Sequence, residues 1–447
     1  MKKYDIIVVG GGPAGVVSAV TAKKYYPKKS VMLLKSVKDS VIPCAIPYMF
    51  STLKKPEDNA LGNAPLEKNG IEVIAEKVER LLPGKKTVET GGGTKYGYGK
   101  LIIATGSMPQ VPPIPGIEKH GIYPILKDLK PLKELYADLK KAKNVAVIGG
   151  GFIGVEFADE LSGIKGINVS LIEQMPRILA NSFDEEFSSM AMEKLEEKGV
   201  KVLTNTSVKG FEGKDKVSSV ILEKGKNMPA DVVVLGIGAV PDTELAKAAG
   251  LETGKSGGII VDEYMRTSQP DIFAAGDCAE KKDFFTRNKV NIMLASTATA
   301  EARIAGANLW KLKLLRESHG TIAIYSTKAG GLALASAGLT ERSALKEGFD
   351  IVVGNAEAAD RHPGAMPGAS KMRVKLIFSK ESGMLLGGQV AGGESAGELI
   401  NTIGLAIQKN VTVTEIETLQ IATHPRLTPP PTAHPLIQAA QDAQSRM

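Results

Sequence analysis

Three stretches of this chain carry residue types at spacings suited to chemistry. Gly10-Gly11-Gly12-Pro13-Ala14-Gly15 follows the apolar run Asp5-Ile6-Ile7-Val8-Val9, and Gly149-Gly150-Gly151-Phe152-Ile153-Gly154 follows Asn144-Val145-Ala146-Val147-Ile148. Each reads G-x-G-x-x-G at the end of a β-branched strand and the start of a helix. The glycines there give the tight turn, let backbone N–H groups approach a pyrophosphate and allow close helix–strand packing; the helix N-terminus faces the negative charge. Two such loops, one in each half of the chain, imply two dinucleotides, and a chain that binds two is suited to passing a hydride between them. The third stretch, Ser40-Val41-Ile42-Pro43-Cys44-Ala45-Ile46-Pro47-Tyr48, holds one of only two cysteines. The other, Cys278, lies far along the chain, so Cys44 has no partner nearby in the sequence. A thiol in that setting can cycle as a sulfenic acid, a mixed disulfide or a persulfide. Cys278, after Gly276-Asp277 at an expected helix start, reads as structural.

The elements that must position these residues follow from periodicity. Residues 5–35 read strand, Gly loop, helix (Val16 to Tyr26), then the strand Val31-Met32-Leu33-Leu34. Leu101-Ile102-Ile103-Ala104 is a further apolar strand and ends in Thr105-Gly106. The proline-rich stretch from Met108 to Gly116 reads as a linker. The unit with the second Gly loop continues through Val169-Ser170-Leu171-Ile172 and Asp231-Val232-Val233-Val234-Leu235. Asp271-Ile272-Phe273-Ala274-Ala275-Gly276-Asp277 reads as one more buried strand ending in an acid. From about Gly320 the pattern changes: Met372-Arg373-Val374-Lys375-Leu376-Ile377-Phe378 alternates, and Ala396 to Lys409 is amphipathic and helical.

Composition bounds the class. The 447 residues allow about three domains. No apolar run reaches the roughly 18 residues a membrane span requires, so no membrane partner is expected. The N-terminus enters a strand with no signal-peptide pattern, and two cysteines make no disulfide framework; the expectation is a cytoplasmic protein. The net charge of +7 is spread over scattered lysines, with only 5% aromatic residues. That reads as solvated faces rather than a nucleic-acid surface, and the positive field favours anionic nucleotides and thiols. No metal-ligand cluster is evident.

In order, five motifs resemble the FAD-dependent pyridine nucleotide–disulfide oxidoreductases over essentially the whole chain: the first Gly loop; the Cys44 stretch; Ala104-Thr105-Gly106; the second Gly loop with Glu156; and Ala275-Gly276-Asp277. The resemblance is closest to the single-cysteine branch of NADH oxidases, NADH peroxidases, coenzyme A disulfide reductases and NADH-dependent polysulfide or persulfide reductases. It implies an α/β fold with two Rossmann-like dinucleotide-binding domains and a C-terminal α+β dimerisation domain: FAD on 1–112 and 246–320, NAD on 113–245, dimerisation on 321–447. By that resemblance Gly10, Gly12, Pro13, Ala14 and Gly15 hold the FAD pyrophosphate, Asp277 the ribityl chain, and Thr297 lies in the helix facing the flavin pyrimidine. Ala104, Thr105, Gly106 and Gly238 are also assigned to cofactor binding. NADH would lie on Gly149, Gly151, Phe152, Ile153 and Gly154, with Phe152 swinging aside for the nicotinamide. Cys44 would sit at a helix start near the flavin, where N-terminal donors favour its thiolate. His424, in Ile421-Ala422-Thr423-His424-Pro425, would donate a proton near the other subunit's Cys44; His362 aligns more loosely with a substrate-side loop.

The acid that meets a ribose hydroxyl lies about 20 residues past such a loop. Glu173 stands there in the second unit. Its carboxylate accepts from a 2′-hydroxyl and repels a 2′-phosphate, which predicts NADH over NADPH. In the first unit Lys35 stands there instead, leaving open how the FAD adenosine ribose is held. The expected enzyme is a homodimer passing electrons from NADH through flavin to Cys44, and on to oxygen, a polysulfide or a persulfide. Coenzyme A disulfide is the alternative acceptor. A second alternative is an electron-transfer reductase for a small rubredoxin-like carrier protein, which would not use Cys44.

Overall fold

The computed structural model describes the chain except Lys54 and Arg316, and Lys224 by its backbone alone. It divides into two compact units. One comprises Met1–Val111, Pro124–Ala137 and Gly238–Thr321; the other comprises Pro112–Tyr123, Asp138–Ile237 and Ile322–Met447.

The first unit is built on β1 (Lys2–Val9), α1 (Pro13–Tyr25), β2 (Val31–Leu34), β3 (Glu72–Ile74), β4 (Val78–Leu82), β5 (Thr87–Thr90) and β6 (Lys95–Ile103). Their spatial order is β3-β2-β1-β6-β5-β4, and the strand Ile272–Ala274 also pairs with β6. β1 runs parallel to β2 and β6, so both of its faces are covered; Ile6, Ile7 and Val8 are fully buried. Small residues let α1 lie against the helix Ala295–Ala307: a side chain at Gly306 would stand 2.7 Å from the Ser18 carbonyl oxygen. Ser107–Pro109 pairs antiparallel with Ala239–Pro241, so the expected linker begins as a short strand.

Two expected helices are absent. After Ile272–Ala274 the chain turns and enters the two-residue pairing of Lys281–Lys282 with Lys289–Val290. Past Cys44, two 3₁₀ turns, Pro43–Ala45 and Pro47–Met49, stand in place of an α-helix. Pro43 and Pro47 have no N–H to donate, so a continuous helical ladder cannot form.

The second unit begins with β7 (Asn144–Ile148), α2 (Phe152–Ser162), β8 (Asn168–Ile172), α3 (Glu185–Glu197), β9 (Lys201–Leu203) and β10 (Val232–Leu235). The sheet order is β9-β8-β7-β10 with Ile122–Pro124 beside β10, and β7 is parallel to both neighbours. An antiparallel sheet follows: β11 (Tyr325–Ala329), β12 (Leu332–Gly338), β13 (Ile351–Ala359), β14 (Lys371–Ser379) and β15 (Leu385–Gly392), in the order β11-β12-β15-β14-β13. α4 (Ala396–Gln408) packs on β12 and β15, and α5 (Pro435–Gln444) on β13 and β14. β14 is the stretch whose residue types alternate, and its Lys375 is only 3% exposed. Acidic residues on and beside α3 cover it.

Candidate functional site

The two Gly loops obey the same local rules. Gly10 (φ +124°) and Gly149 (φ +101°) occupy backbone regions that L side chains rarely adopt. A side chain at Gly15 would collide with the Gly10 carbonyl, and one at Gly154 with that of Gly149. These contacts close each turn tightly against its helix. At Gly12 and Gly151, by contrast, a Cβ would meet nothing within 4 Å. The outer surface of each loop is therefore an open cradle. Neither α1 nor α2 has a side-chain N-cap or an acid in its first turn. Their orphan N–H groups and positive helix ends face outward, a donor set that fits a pyrophosphate.

The strand-end residues pack alike and then diverge. A Cβ on Gly11 would lie 2.7 Å from Lys35 Cβ, and one on Gly150 would lie 3.0 Å from Glu173 Cβ. Glu173 accepts from Gly150 N and Met175 N, each at 2.6 Å. Lys35 turns inward and donates to Lys38 O at 2.9 Å and Asn63 Oδ1 at 3.2 Å. Burial pushes its ammonium down from the ordinary lysine range.

In the first unit, the Cys44 and Asp277 motifs are tied together by a segment that sequence reasoning assigned elsewhere. Asp277 Oδ2 accepts from Ser107 Oγ at 2.7 Å and from Lys127 Nζ at 3.3 Å, and Lys127 also reaches Ser107 Oγ at 2.8 Å. The next residue, Asp128, forms a β-bridge with Ser40, at the start of the Cys44 stretch. Lys127 was missed because nothing in its local sequence marks it. Cys44 is exposed. Cys278 is fully buried, and burial pushes its thiol up, as befits an inert structural cysteine. Thr297 Oγ1 lies 3.0 Å from Thr321 Oγ1. Gly238 (φ +103°) accepts from Gln110 N at 3.0 Å beside the short antiparallel pair.

In the second unit, two histidine loops meet at Thr428. His362 Nδ1 lies 3.0 Å from Thr428 O, and His362 N donates to Pro425 O. His424 N donates to Thr428 Oγ1 at 2.9 Å, while its Nδ1 accepts from Arg426 N at 3.3 Å. His424 is exposed and His362 partly buried. Among the described residues, no group of three or more His, Cys, Asp or Glu is arranged to hold a metal ion. Nor is any helix long and apolar enough to cross a membrane.

Glu156 lies one turn beyond the second Gly loop. It accepts from Thr327 Oγ1 at 2.8 Å, and burial pushes its carboxyl up to about 7. A raised carboxyl favours the folded state while protonated. That stability is complete below the unfolded value of about 4.3 and drains away as pH rises to about 7. Glu156→Gln keeps the acceptor for Thr327 and removes the ionisation. It is expected to be more stable than wild type at pH 8 by about 3–4 kcal/mol and equal to it near pH 4. Urea denaturation at the two pH values checks this; an equal offset at both would refute it.

Comparison with known proteins agrees with this geometry. Residues 4–302 match the pyridine nucleotide-disulphide oxidoreductase family, and residues 324–433 match its dimerisation domain. The chain is 31% identical to an NADH oxidase of Methanocaldococcus jannaschii over 99% of both chains. An NAD-dependent persulfide reductase from A. fulgidus superposes with a TM-score of 0.91 at 31% identity, covering 99% of this chain and 83% of that one. The water-forming NADH oxidase of Lactobacillus brevis, solved with NADH bound, superposes with a TM-score of 0.90 at 28% identity, covering 100% of this chain and 99% of that one. The two dinucleotide cradles, the exposed cysteine and the C-terminal sheet are thus the parts of one enzyme type: this chain belongs to the pyridine nucleotide–disulphide oxidoreductase family, in its single-cysteine branch, and is an FAD-dependent NAD(P)H oxidoreductase.

Proposed function

We propose that this enzyme uses NADH to reduce a sulfur–sulfur bond in a polysulfide or persulfide, with Cys44 as the redox thiol and the homodimer as the working unit. The observation that carries the reading is the tie between the Cys44 stretch and the Asp277 motif: Ser40 bridges to Asp128, and the neighbouring Lys127 meets Asp277. A lone thiol that attacks a sulfur–sulfur bond and is then returned to the thiolate by two electrons suits a sulfur acceptor. Coenzyme A disulfide fits the same chemistry.

FAD would lie on Gly10, Gly12, Pro13, Ala14 and Gly15 with Asp277, Ala104, Thr105, Gly106 and Thr297 around it. Bound there, it supplies the two-electron relay between nicotinamide and thiol. NADH would lie on Gly149, Gly151, Phe152, Ile153 and Gly154, with Gly238 also on the cofactor side. Glu173 selects against a 2′-phosphate by charge. The Cys44 thiolate attacks one sulfur of the substrate bond; the other sulfur leaves with the electron pair as a thiolate or hydrosulfide. Cys44 is left in a mixed disulfide or persulfide, and two electrons derived from NADH return it to the thiolate. His424 supplies the proton to the leaving sulfur across the dimer.

The test starts from holoenzyme reduced anaerobically with NADH. Polysulfide, coenzyme A disulfide and oxygen are then offered in turn to wild type and Cys44→Ser. The expected result is reoxidation of wild type by a sulfur compound and loss of that rate by about 100-fold or more in Cys44→Ser. Equal reoxidation of both proteins by oxygen, with no response to sulfur compounds, would refute the thiol route. Retained NADH-to-carrier activity in Cys44→Ser would instead indicate an electron-transfer reductase.

A further inference from the structure

We infer that Tyr325 is a positioning residue for the nicotinamide end of the second nucleotide site, acting through Phe152. This rests on the proposed placement of NADH on the second Gly loop. Phe152 is the first residue of α2, directly after Gly151, so its backbone borders the open cradle. The Phe152 ring is stacked on that of Tyr325, with centroids 4.8 Å apart and planes at 19°. Phe183 lies beside it, tilted, at 6.1 Å.

A second contact repeats this one further along. Glu156, one turn on along α2, accepts from Thr327, two residues on along β11. Four helical residues advance about 6 Å and two strand residues about 6.6 Å, so two pairs of side chains meet at matched pitch. The helix that opens the nucleotide site is therefore docked on β11 at two points, one aromatic and one polar. The Tyr325 ring is itself held at its far end, where its hydroxyl hydrogen-bonds with Ser182. Held between Tyr325 and Phe183, the Phe152 ring is kept off the mouth of the cradle. Without Tyr325 it would be free to occupy the space a nicotinamide needs.

The test is calorimetric titration of FAD-loaded wild type, Tyr325→Ala and Tyr325→Phe with NAD⁺ and with ADP-ribose, alongside steady-state kinetics with NADH. An aromatic pair of ordinary strength corresponds to a change of roughly 2- to 12-fold. Tyr325→Ala is expected to raise the NAD⁺ Kd and the NADH KM by that factor while leaving the ADP-ribose Kd unchanged. Tyr325→Phe, which keeps the ring, is expected to match wild type. Tyr325→Ala binding NAD⁺ as wild type does would overturn the assignment, as would equal weakening of NAD⁺ and ADP-ribose. Impairment of Tyr325→Phe to the same degree as Tyr325→Ala would also overturn it, since the ring would then not be the active feature. A wild type that binds ADP-ribose and NAD⁺ nowhere would overturn the nucleotide placement itself, and this inference with it.

Discussion

Replacing Lys375 by methionine is expected to destabilise the second unit by about 3–5 kcal/mol, because it leaves three carboxylates facing one another without their cation. Lys375 Nζ lies 3.0 Å from Asp184 Oδ2, 2.8 Å from Glu186 Oε1 and 2.7 Å from Glu341 Oε2. Asp184 is the N-cap residue of α3, and Glu186 is in its first turn. Gln389, the cross-strand partner of Lys375, is fully buried; it donates to Asp184 Oδ2 and accepts from Asp184 N. The box therefore fastens a helix of the dinucleotide fold to the antiparallel sheet through fully committed hydrogen bonds. Burial pushes the Lys375 ammonium down, but Glu186, Glu341 and Asp184 outweigh it and hold the group above the ordinary lysine range. With the folded value raised, this stability is complete below about pH 10.4 and is lost as pH climbs through the folded value. Chemical denaturation of wild type and Lys375→Met at pH 7 reads the loss. The gap between them should narrow above pH 10.4. A variant within 1 kcal/mol of wild type at pH 7 would show that the box contributes little.

What could be read in the sequence was local. Each Gly loop is specified by contacts among residues a few positions apart, together with one neighbouring strand end, so both appeared as motif and periodicity. Glu173 and Lys35 were placed correctly at strand ends because a parallel strand fixes where its own last residue stands. The features that escaped depend on partners far along the chain. Lys127 meets Asp277 150 residues away, and Lys375 meets Glu186 189 residues away. Tyr325 read as one residue of a strand, and only folding shows that its ring covers Phe152. The alternation of β14 correctly marked Lys375 as facing away from the apolar layer, but alternation cannot say whether that second face meets water or a helix. The helix expected after Cys44 failed for a local reason: two prolines four residues apart leave room only for single turns. Cys44 accordingly sits on a short turn, with far less aligned backbone dipole behind it than a long helix would provide.

A second buried ion pair stands in the first unit, at the loop that carries Asp277. Lys281 and Glu301 are 5% and 7% exposed at the side chain and lie 3.0 Å apart. Lys281 Nζ also donates to Gly276 O at 2.6 Å and Ala279 O at 2.8 Å, and Glu301 Oε2 accepts from Gly276 N at 2.9 Å. Both polar groups of the Gly276 backbone are thus held by this pair, and Gly276 (φ +83°) is the residue immediately before Asp277. Burial pushes the Glu301 carboxyl up, and Lys281 beside it opposes the shift. Glu301→Leu removes the counter-charge and the acceptor for Gly276 N together, leaving a buried ammonium whose remaining partners are carbonyl oxygens. The expected cost is about 3–5 kcal/mol. Because the loop it releases positions Asp277, purified Glu301→Leu should also carry less flavin per chain, read from visible absorbance. The double variant Lys281→Met with Glu301→Leu removes the unpaired charge and should recover most of the stability, since a buried pair replaced whole by apolar side chains is often close to neutral. Flavin retention should recover less, because neither apolar side chain can bond Gly276. If the double variant is as unstable as Glu301→Leu, the cost lies in packing rather than in the uncompensated charge. If both variants retain full flavin, the Gly276 clamp does not serve the Asp277 loop.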